Sequence, residues 1–186
     1  MAWTGPGLPR DDARVAWLVR VMETTSHLRL GLSVAAITIL LDQAAKYWLL
    51  ALSGVGEGER LAVGPFVNLV NQRNPGISYS LFELRGMAGQ LLLAAIAVAV
   101  SIGIVSWLAH TAKRLASGAL GLVLGGALGN AIDRPLRGGV VDFVSLHAAG
   151  YQWYVFNIAD VAIVAGVIGL LYESVMANRK TAANGL

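Results

Sequence analysis

The chain contains no cysteine. Disulfides, thiolate nucleophiles and cysteine-based zinc sites are thereby excluded together, and any chemistry falls to other side chains. Charge is scarce as well: Asp, Glu, Lys and Arg make up 13% of the 186 residues, against 56% hydrophobic residues, whereas a soluble domain carries roughly a quarter charged. Histidine occurs only at His27, His110 and His147, with no His-Glu-x-x-His spacing, and no Gly-x-Ser-x-Gly elbow is present. Metal hydrolysis and serine catalysis therefore lack their parts, and no metal or cofactor is expected. The net charge of +3 is divided among short segments, which gives no basic surface for nucleic acid.

What the chain has instead is long apolar runs. Residues 30–53, 86–109, 115–133 and 155–176 are each long enough to cross about 30 Å of hydrocarbon at about 1.5 Å per residue. They predict an all-α membrane protein of four transmembrane helices, one domain over 30–176, with an N-terminal extension at 1–29 and a tail at 177–186. The first run is longer than the core of a secretory signal and holds Asp42, Gln43 and Lys46, so it reads as a retained helix. Arg10, Arg14, Arg20 and Arg29, then Lys113 and Arg114, then Arg179 and Lys180 mark three segments as cytoplasmic; both termini are expected inside. On the other side, residues 59–82, VVDFVSL and WYVF mix β-prone residues with Gly and Pro. They predict a small extracytoplasmic β-sheet on the helix ends, outside the hydrocarbon. The Gly- and Ala-rich third run reads as a close-packing helix, and Tyr151, Trp153 and Tyr154 as an aromatic belt at the interface.

Ionisable groups in a span cost about 2.5–3.5 kcal/mol each at the centre, so each needs a partner or a task. Asp42 and Lys46 are four apart on one face and read as a structural ion pair. Asn130 and Arg134, with Asp133 between them, stand at the outer end of the third helix, where either a plain helix terminus or a pairing across the bundle would account for them. Asn157 and Asp160, three apart, would serve equally as a helix cap. The balance shifts because Asn74, Asn130, Arg134, Asp142, Asn157 and Asp160 all fall on one side of the membrane under this topology. Such a layer resembles a site. If Asp142 and Asp160 face each other across a water, one keeps a proton and the other acts as general base, an aspartic-protease arrangement. A proton pathway would instead stagger its acids through the membrane, and a scaffold would use the layer only for interhelical hydrogen bonds.

LDQAAKYW, NPGISYSLF, GGALGNAIDR with GGVVDF, and FNIADVAI resemble, in order and spacing, the motif blocks of bacterial lipoprotein signal peptidase, also called signal peptidase II. The likeness covers residues 30–176. It implies a four-helix aspartic peptidase of the bacterial inner membrane that removes the signal peptide from prolipoproteins whose cysteine carries diacylglycerol. By matching positions it implies Asp142 and Asp160 as the catalytic dyad and Asn74, Asn130, Arg134 and Asn157 as groups that position substrate and dyad. Asp42 and Lys46 match a stabilising first-helix block, and the outer sheet a cradle for the lipidated substrate. Membrane lipid is expected as a partner, the enzyme as a monomer, and the active site near the extracytoplasmic face under the topology above. Pro75 and Tyr79 depart from the family's more usual residues, as does the long N-terminal extension.

Overall fold

A computed structural model of the chain describes residues 10–76 and 86–184. In chain order the elements are α1 (Arg10–Leu52), β1 (Arg60–Ala62), β2 (Val67–Asn74), α2 (Met87–His110), α3 (Arg114–Arg137), β3 (Val140–Ala148), β4 (Tyr151–Phe156) and α4 (Ile158–Asn184). All four helices contain a segment long and apolar enough to cross a membrane: Thr25–Leu52, Met87–His110, Arg114–Arg137 and Ile158–Arg179. The strands join into one antiparallel sheet in the order β1-β2-β3-β4. Since β1 and β2 follow α1, and β3 and β4 link α3 to α4, the sheet sits at one end of the bundle.

Three boundaries differ from the hydropathy reading. The fourth helix begins at Ile158, because residues 151–156 pair with β3. The third runs on past 133 to Arg137, with Pro135 in its last turn and Gly138 closing it at φ 73°, a left-handed angle that glycine adopts without strain. The N-terminal extension, set apart from the first span in the hydropathy reading, is helical from Arg10 and continuous with α1. Residues 77–82 of the expected strand region, with Tyr79, lie outside the described residues.

Helix α3 is the inner one. Its membrane window is 56% buried, against 17–22% for the other three, and glycine is the reason. A Cβ on Gly121 would stand 2.4 Å from the Gly31 carbonyl oxygen, and one on Gly125 2.7 Å from that of Ala35, so this face of α3 meets the backbone of α1. A Cβ on Gly126 would stand 2.4 Å from the Ala159 carbonyl oxygen of α4. Small residues are what allow helices to approach this closely in lipid. Helix α2 by contrast exposes Leu91, Leu92, Ile96, Val98 and Ile102, the outward apolar surface expected of a span facing lipid.

The sheet is anchored by alternation along β3. Val141 and Phe143 are buried with Leu49 of α1, which leaves Val140 and Asp142 on the opposite face. A bulge in β2 between Leu69 and Gln72 puts an extra residue there and buries Val70 and Asn71 in succession. Beyond it, Gln72 stands opposite Asp142 and Asn74 opposite Val140. Ala148 pairs with Tyr151 across a two-residue turn in which Ala149 and Gly150 both have positive φ, 50° and 82°. Such hairpin turns favour Asn-Gly. Ala149→Asn is expected to raise the melting temperature by about 2 °C, the effect of roughly 0.5–1 kcal/mol in a domain of this size, as read in a detergent thermal melt.

Candidate active site

Gly138 and Gly139 bring the chain straight from the end of α3 into β3, so Asp142 follows the helix by only five residues. There is no room for a side chain at Gly139, whose Cβ would lie 3.0 Å from the Asn74 carbonyl oxygen. Asp142 is 3% exposed. Its Oδ1 accepts from Asn157 Nδ2 at 2.7 Å and its Oδ2 from Asn74 Nδ2 at 3.2 Å. Asn74 is itself held in an Asx turn, its Oδ1 accepting from the Gly76 N–H at 3.0 Å.

Asp160 enters from the first turn of α4. Asn157 Oδ1 accepts from the Asp160 N–H at 2.9 Å, and Asp160 Oδ2 accepts from the Asn157 N–H at 3.1 Å. This is a capping box with aspartate in the position usually held by glutamate or glutamine. The capping role weighed for this pair is therefore realised, and it leaves Asp160 Oδ1 to accept from Asn130 Nδ2 at 2.9 Å. Asn157 is fully buried and joins both acids, through Nδ2 to Asp142 and through Oδ1 to the amide of Asp160.

Asn74, Asn130, Arg134, Asp142 and Asp160 line one cavity of about 150 Å³ together with Gly76, Val140, Tyr154 and Ile163. Asn157 stands behind the acids, out of this lining. Arg134 makes no ion pair with a described carboxylate; its guanidinium donates to the carbonyls of Asn130 at 2.9 Å and Gly76 at 3.0 Å. It thereby ties the β2–α2 connection to α3, and Gln90 Nε2 of α2 adds a bond to the Pro75 carbonyl at 2.7 Å. Tyr154, read from sequence as part of the aromatic belt, lines the cavity with its hydroxyl 3.4 Å from Asn74 Nδ2, whereas Tyr151 is 80% exposed. The side chain of Trp153 lies outside the described residues.

Asp42 and Lys46 are paired at 2.7 Å, both fully buried, and the pair extends to Asp133, also 2.7 Å from Lys46 Nζ. Asp133 in turn pairs with Arg137 one turn on. Gln43 donates to Asp133 Oδ1 at 2.9 Å and accepts from Arg137 at 2.8 Å. Sequence reasoning gave no site role to Gln43, Gln90, Asp133 or Arg137; the i,i+4 spacing of Asp133 and Arg137 was the one signal available. Among the described residues no cluster of His, Asp or Glu is placed to hold a metal ion.

Burial, and then the neighbouring Asp160, push the Asp142 carboxyl up from 3.8 to about 7, against the lowering effect of its Asn74 and Asn157 hydrogen bonds. A carboxyl with a raised folded-state value contributes stability that is complete below its ordinary value and is lost as pH rises through the folded value. Wild-type stability should therefore fall between about pH 4 and pH 7, by at most about 1.4 kcal/mol per unit from this group. Asp142→Asn lacks that term. The melting temperature of the variant minus that of wild type is expected to rise by several degrees from pH 5 to pH 8, and a constant difference would contradict this assignment.

The sequence pattern of the family described as Signal peptidase (SPase) II matches residues 34–176. A lipoprotein signal peptidase of Methylobacterium sp. (strain 4-46) is 48% identical over 148 residues, 80% of this chain and 90% of that protein. The lipoprotein signal peptidase of Methylocella silvestris is 44% identical over 156 residues, covering 84% and 91% of the two chains. Two bacterial membrane enzyme structures obtained by the in meso method are similar in fold. One, at 1.9 Å resolution, has a TM-score of 0.65 and 31% identity over 77% of this chain and 90% of its own. The other, at 2.3 Å, has a TM-score of 0.67 and 30% identity over 83% and 90%.

Proposed function

We propose a mechanism from one premise: this chain belongs to the signal peptidase II family. It is a bacterial membrane protein and an aspartic peptidase that removes the signal peptide from prolipoproteins. Asp142 and Asp160 are its catalytic dyad, and the supporting observation is that the two acids line one cavity while a single buried residue, Asn157, bonds to both.

The dyad holds one proton in the resting enzyme, because two ionised carboxylates in so dry a site repel each other. The ionised member takes a proton from water as its oxygen attacks the scissile carbonyl carbon. The protonated member gives its proton to the carbonyl oxygen, forming a neutral gem-diol. Collapse of the diol breaks the C–N bond: the ionised member takes one hydroxyl proton, the protonated member gives its own to the amide nitrogen, and a carboxylic acid and an amine leave with one proton again on the dyad. Asn74 and Asn157, on the two oxygens of Asp142, hold its carboxyl plane still through this cycle. Asn130 does the same for Asp160. Arg134, on the cavity wall with an Nε that has no hydrogen-bond partner among the described residues, is a donor for a substrate main-chain carbonyl.

The substrate carries diacylglycerol on its cysteine and enters laterally from lipid, its acyl chains against the sheet. The sheet and cavity stand at the extracytoplasmic face, with residues 1–29 and 177–186 on the cytoplasmic side, in accord with Lys113, Arg114, Arg179 and Lys180 at the opposite end of the bundle. One copy of the chain holds every residue of the site, so the enzyme acts as a monomer. The test is cleavage of a diacylglyceryl-modified prolipoprotein by purified enzyme, followed by the size shift. Wild type is expected to cleave, and Asp142→Asn and Asp160→Asn to bind without cleaving. Cleavage by either variant at the wild-type rate would remove the dyad.

A further inference from the structure

Lys46 is a fully buried ammonium that does not itself line the cavity, and its surroundings lead to both acids by separate routes. Its Nζ lies 2.7 Å from Asp42 Oδ2, 2.7 Å from Asp133 Oδ2 and 3.2 Å from Asn130 Oδ1. The second oxygen of Asp42 accepts from the backbone N–H of Ala159 at 3.0 Å, across 117 residues of sequence. Asp133 Oδ2 accepts from the backbone N–H of Val141 at 3.1 Å. Ala159 immediately precedes Asp160, and Val141 immediately precedes Asp142. Two buried carboxylates, gathered by one cation, thus hold the peptide units just before the two members of the dyad.

We propose that Lys46, Asp42 and Asp133 form a spacer that sets the separation of Asp142 and Asp160 by clamping the Ala159 and Val141 amides, so that all three are positioning residues for the reaction. The inference rests on the dyad assignment made above. Three features of the geometry carry it. The clamped amides belong to different elements, the start of α4 and the strand β3, so holding both at once fixes one element against the other. The clamps come from α1 and α3, two helices whose backbones meet at Gly121 and Gly125, so both carboxylates are held on closely packed elements. The charges balance within the cluster, Lys46 and Arg137 against Asp42 and Asp133, and well-packed apolar residues usually stabilise as well as a buried ion pair does. A pair retained at that disadvantage is explained by what it holds in place.

A third strand of the same cluster reaches Asp160 directly. Asn130 Oδ1 accepts from Lys46 and from Asn157 Nδ2, which orients its amide so that Nδ2 donates to Asp160 Oδ1. Lys46 therefore fixes which way the Asn130 amide faces as well as where the two peptide units lie.

The experiment compares three forms with wild type in the lipidated-precursor assay, each with a thermal melt. The charge-removing pair Lys46→Met with Asp42→Leu deletes one cation and one anion together and leaves Asp133 with Arg137. It is expected to fold and to lose kcat by about 10²-fold, the size of effect that a 1 Å misplacement of reacting groups produces, with KM within a few-fold. Asp42→Ala should behave likewise. Asp42→Asn keeps an oxygen facing the Ala159 amide and should recover most of the kcat lost in Asp42→Ala. Equal losses in Asp42→Asn and Asp42→Ala would overturn the proposal, because charge and not the amide clamp would then matter. Failure of the charge-balanced pair to fold would also overturn it, by making the cluster a stabilising device, as would a rise in KM with kcat intact. Asp142→Asn and Asp160→Asn run beside them keep the two ideas apart: if these cleave, the dyad itself is wrong; if they do not, the outcome for Asp42 and Lys46 judges the spacer alone.

Discussion

Asp142→Asn is expected to lower kcat for precursor cleavage by about 10⁴-fold, Asp160→Asn by a similar factor, and the double variant by no more than either alone. The size follows from the role. A positioned acid or base contributes about 10²–10⁴-fold, and an amide at either place can neither take the proton of the attacking water nor supply one to the carbonyl oxygen. The lack of additivity follows because the pair shares one proton and works as a unit. The isosteric change also leaves the fold in place: a carboxamide can still accept from one of the two asparagines that face Asp142. Wild-type activity should decline above about pH 7, where the Asp142 carboxyl, raised to about 7 by burial and by Asp160, gives up its proton. A flat alkaline profile with substrate and fold intact would leave the proton-sharing pair without support. So would a double variant appreciably slower than both singles, measured by single-turnover cleavage.

The second large effect involves no titratable group. Gly126→Ala would place a methyl 2.4 Å from the carbonyl oxygen of Ala159 and 2.7 Å from a side-chain carbon of Ile163. A backbone atom cannot swing aside, so α3 and α4 must separate at the level of the dyad. Overpacking of this kind costs about 1–3 kcal/mol or more, and the displacement is delivered to the residue that precedes Asp160. Activity is expected to fall by 10²-fold or more, with a melting temperature several degrees lower. Gly118→Ala on the same helix, where a Cβ meets nothing within 4 Å, should leave cleavage unchanged and cost no stability, since alanine is the better helix former by about 1 kcal/mol. Equal activity in the two alanine variants would mean that close approach of α3 to α4 has no part in building the site.

These two predictions draw on different amounts of foresight. Asp142 and Asp160 could be singled out from the sequence because burying a carboxylate in an apolar chain demands a reason, and their motif blocks resemble those of one family. The glycine stripe could be recognised as a packing signal, yet nothing in GALGLVLGGALGN tells which glycine faces α1 and which faces α4. Asp133 was the larger omission. From sequence it read as part of a plain helix terminus beside Asn130 and Arg134, and only the fold brings Lys46 to its other oxygen and the Val141 amide within 3.1 Å. Tyr154 was taken for an interfacial anchor because aromatic residues before a span usually are. The shift between β3 and β4, where Ser145 pairs with Val155 but His147 with Gln152, places it on the cavity wall beside Asn74.

By itself, then, the sequence determined the solvent this chain lives in, the number of its spans, the absence of thiol chemistry and the set of polar residues that had to be accounted for. All of these follow from composition and local spacing, where the cost of burying a charge or an unpaired amide is large enough to be read one residue at a time. Tertiary structure alone decided which polar groups share a partner. Asn157 between two acids, and Lys46 between two carboxylates that hold the peptide units before those acids, are contacts spanning 8 to 117 residues. Their geometry depends on how closely three helices approach and on where one bulge falls in a strand. Periodicity encodes which way a side chain faces; the distance at which it meets another is set by the backbones that glycine allows to touch.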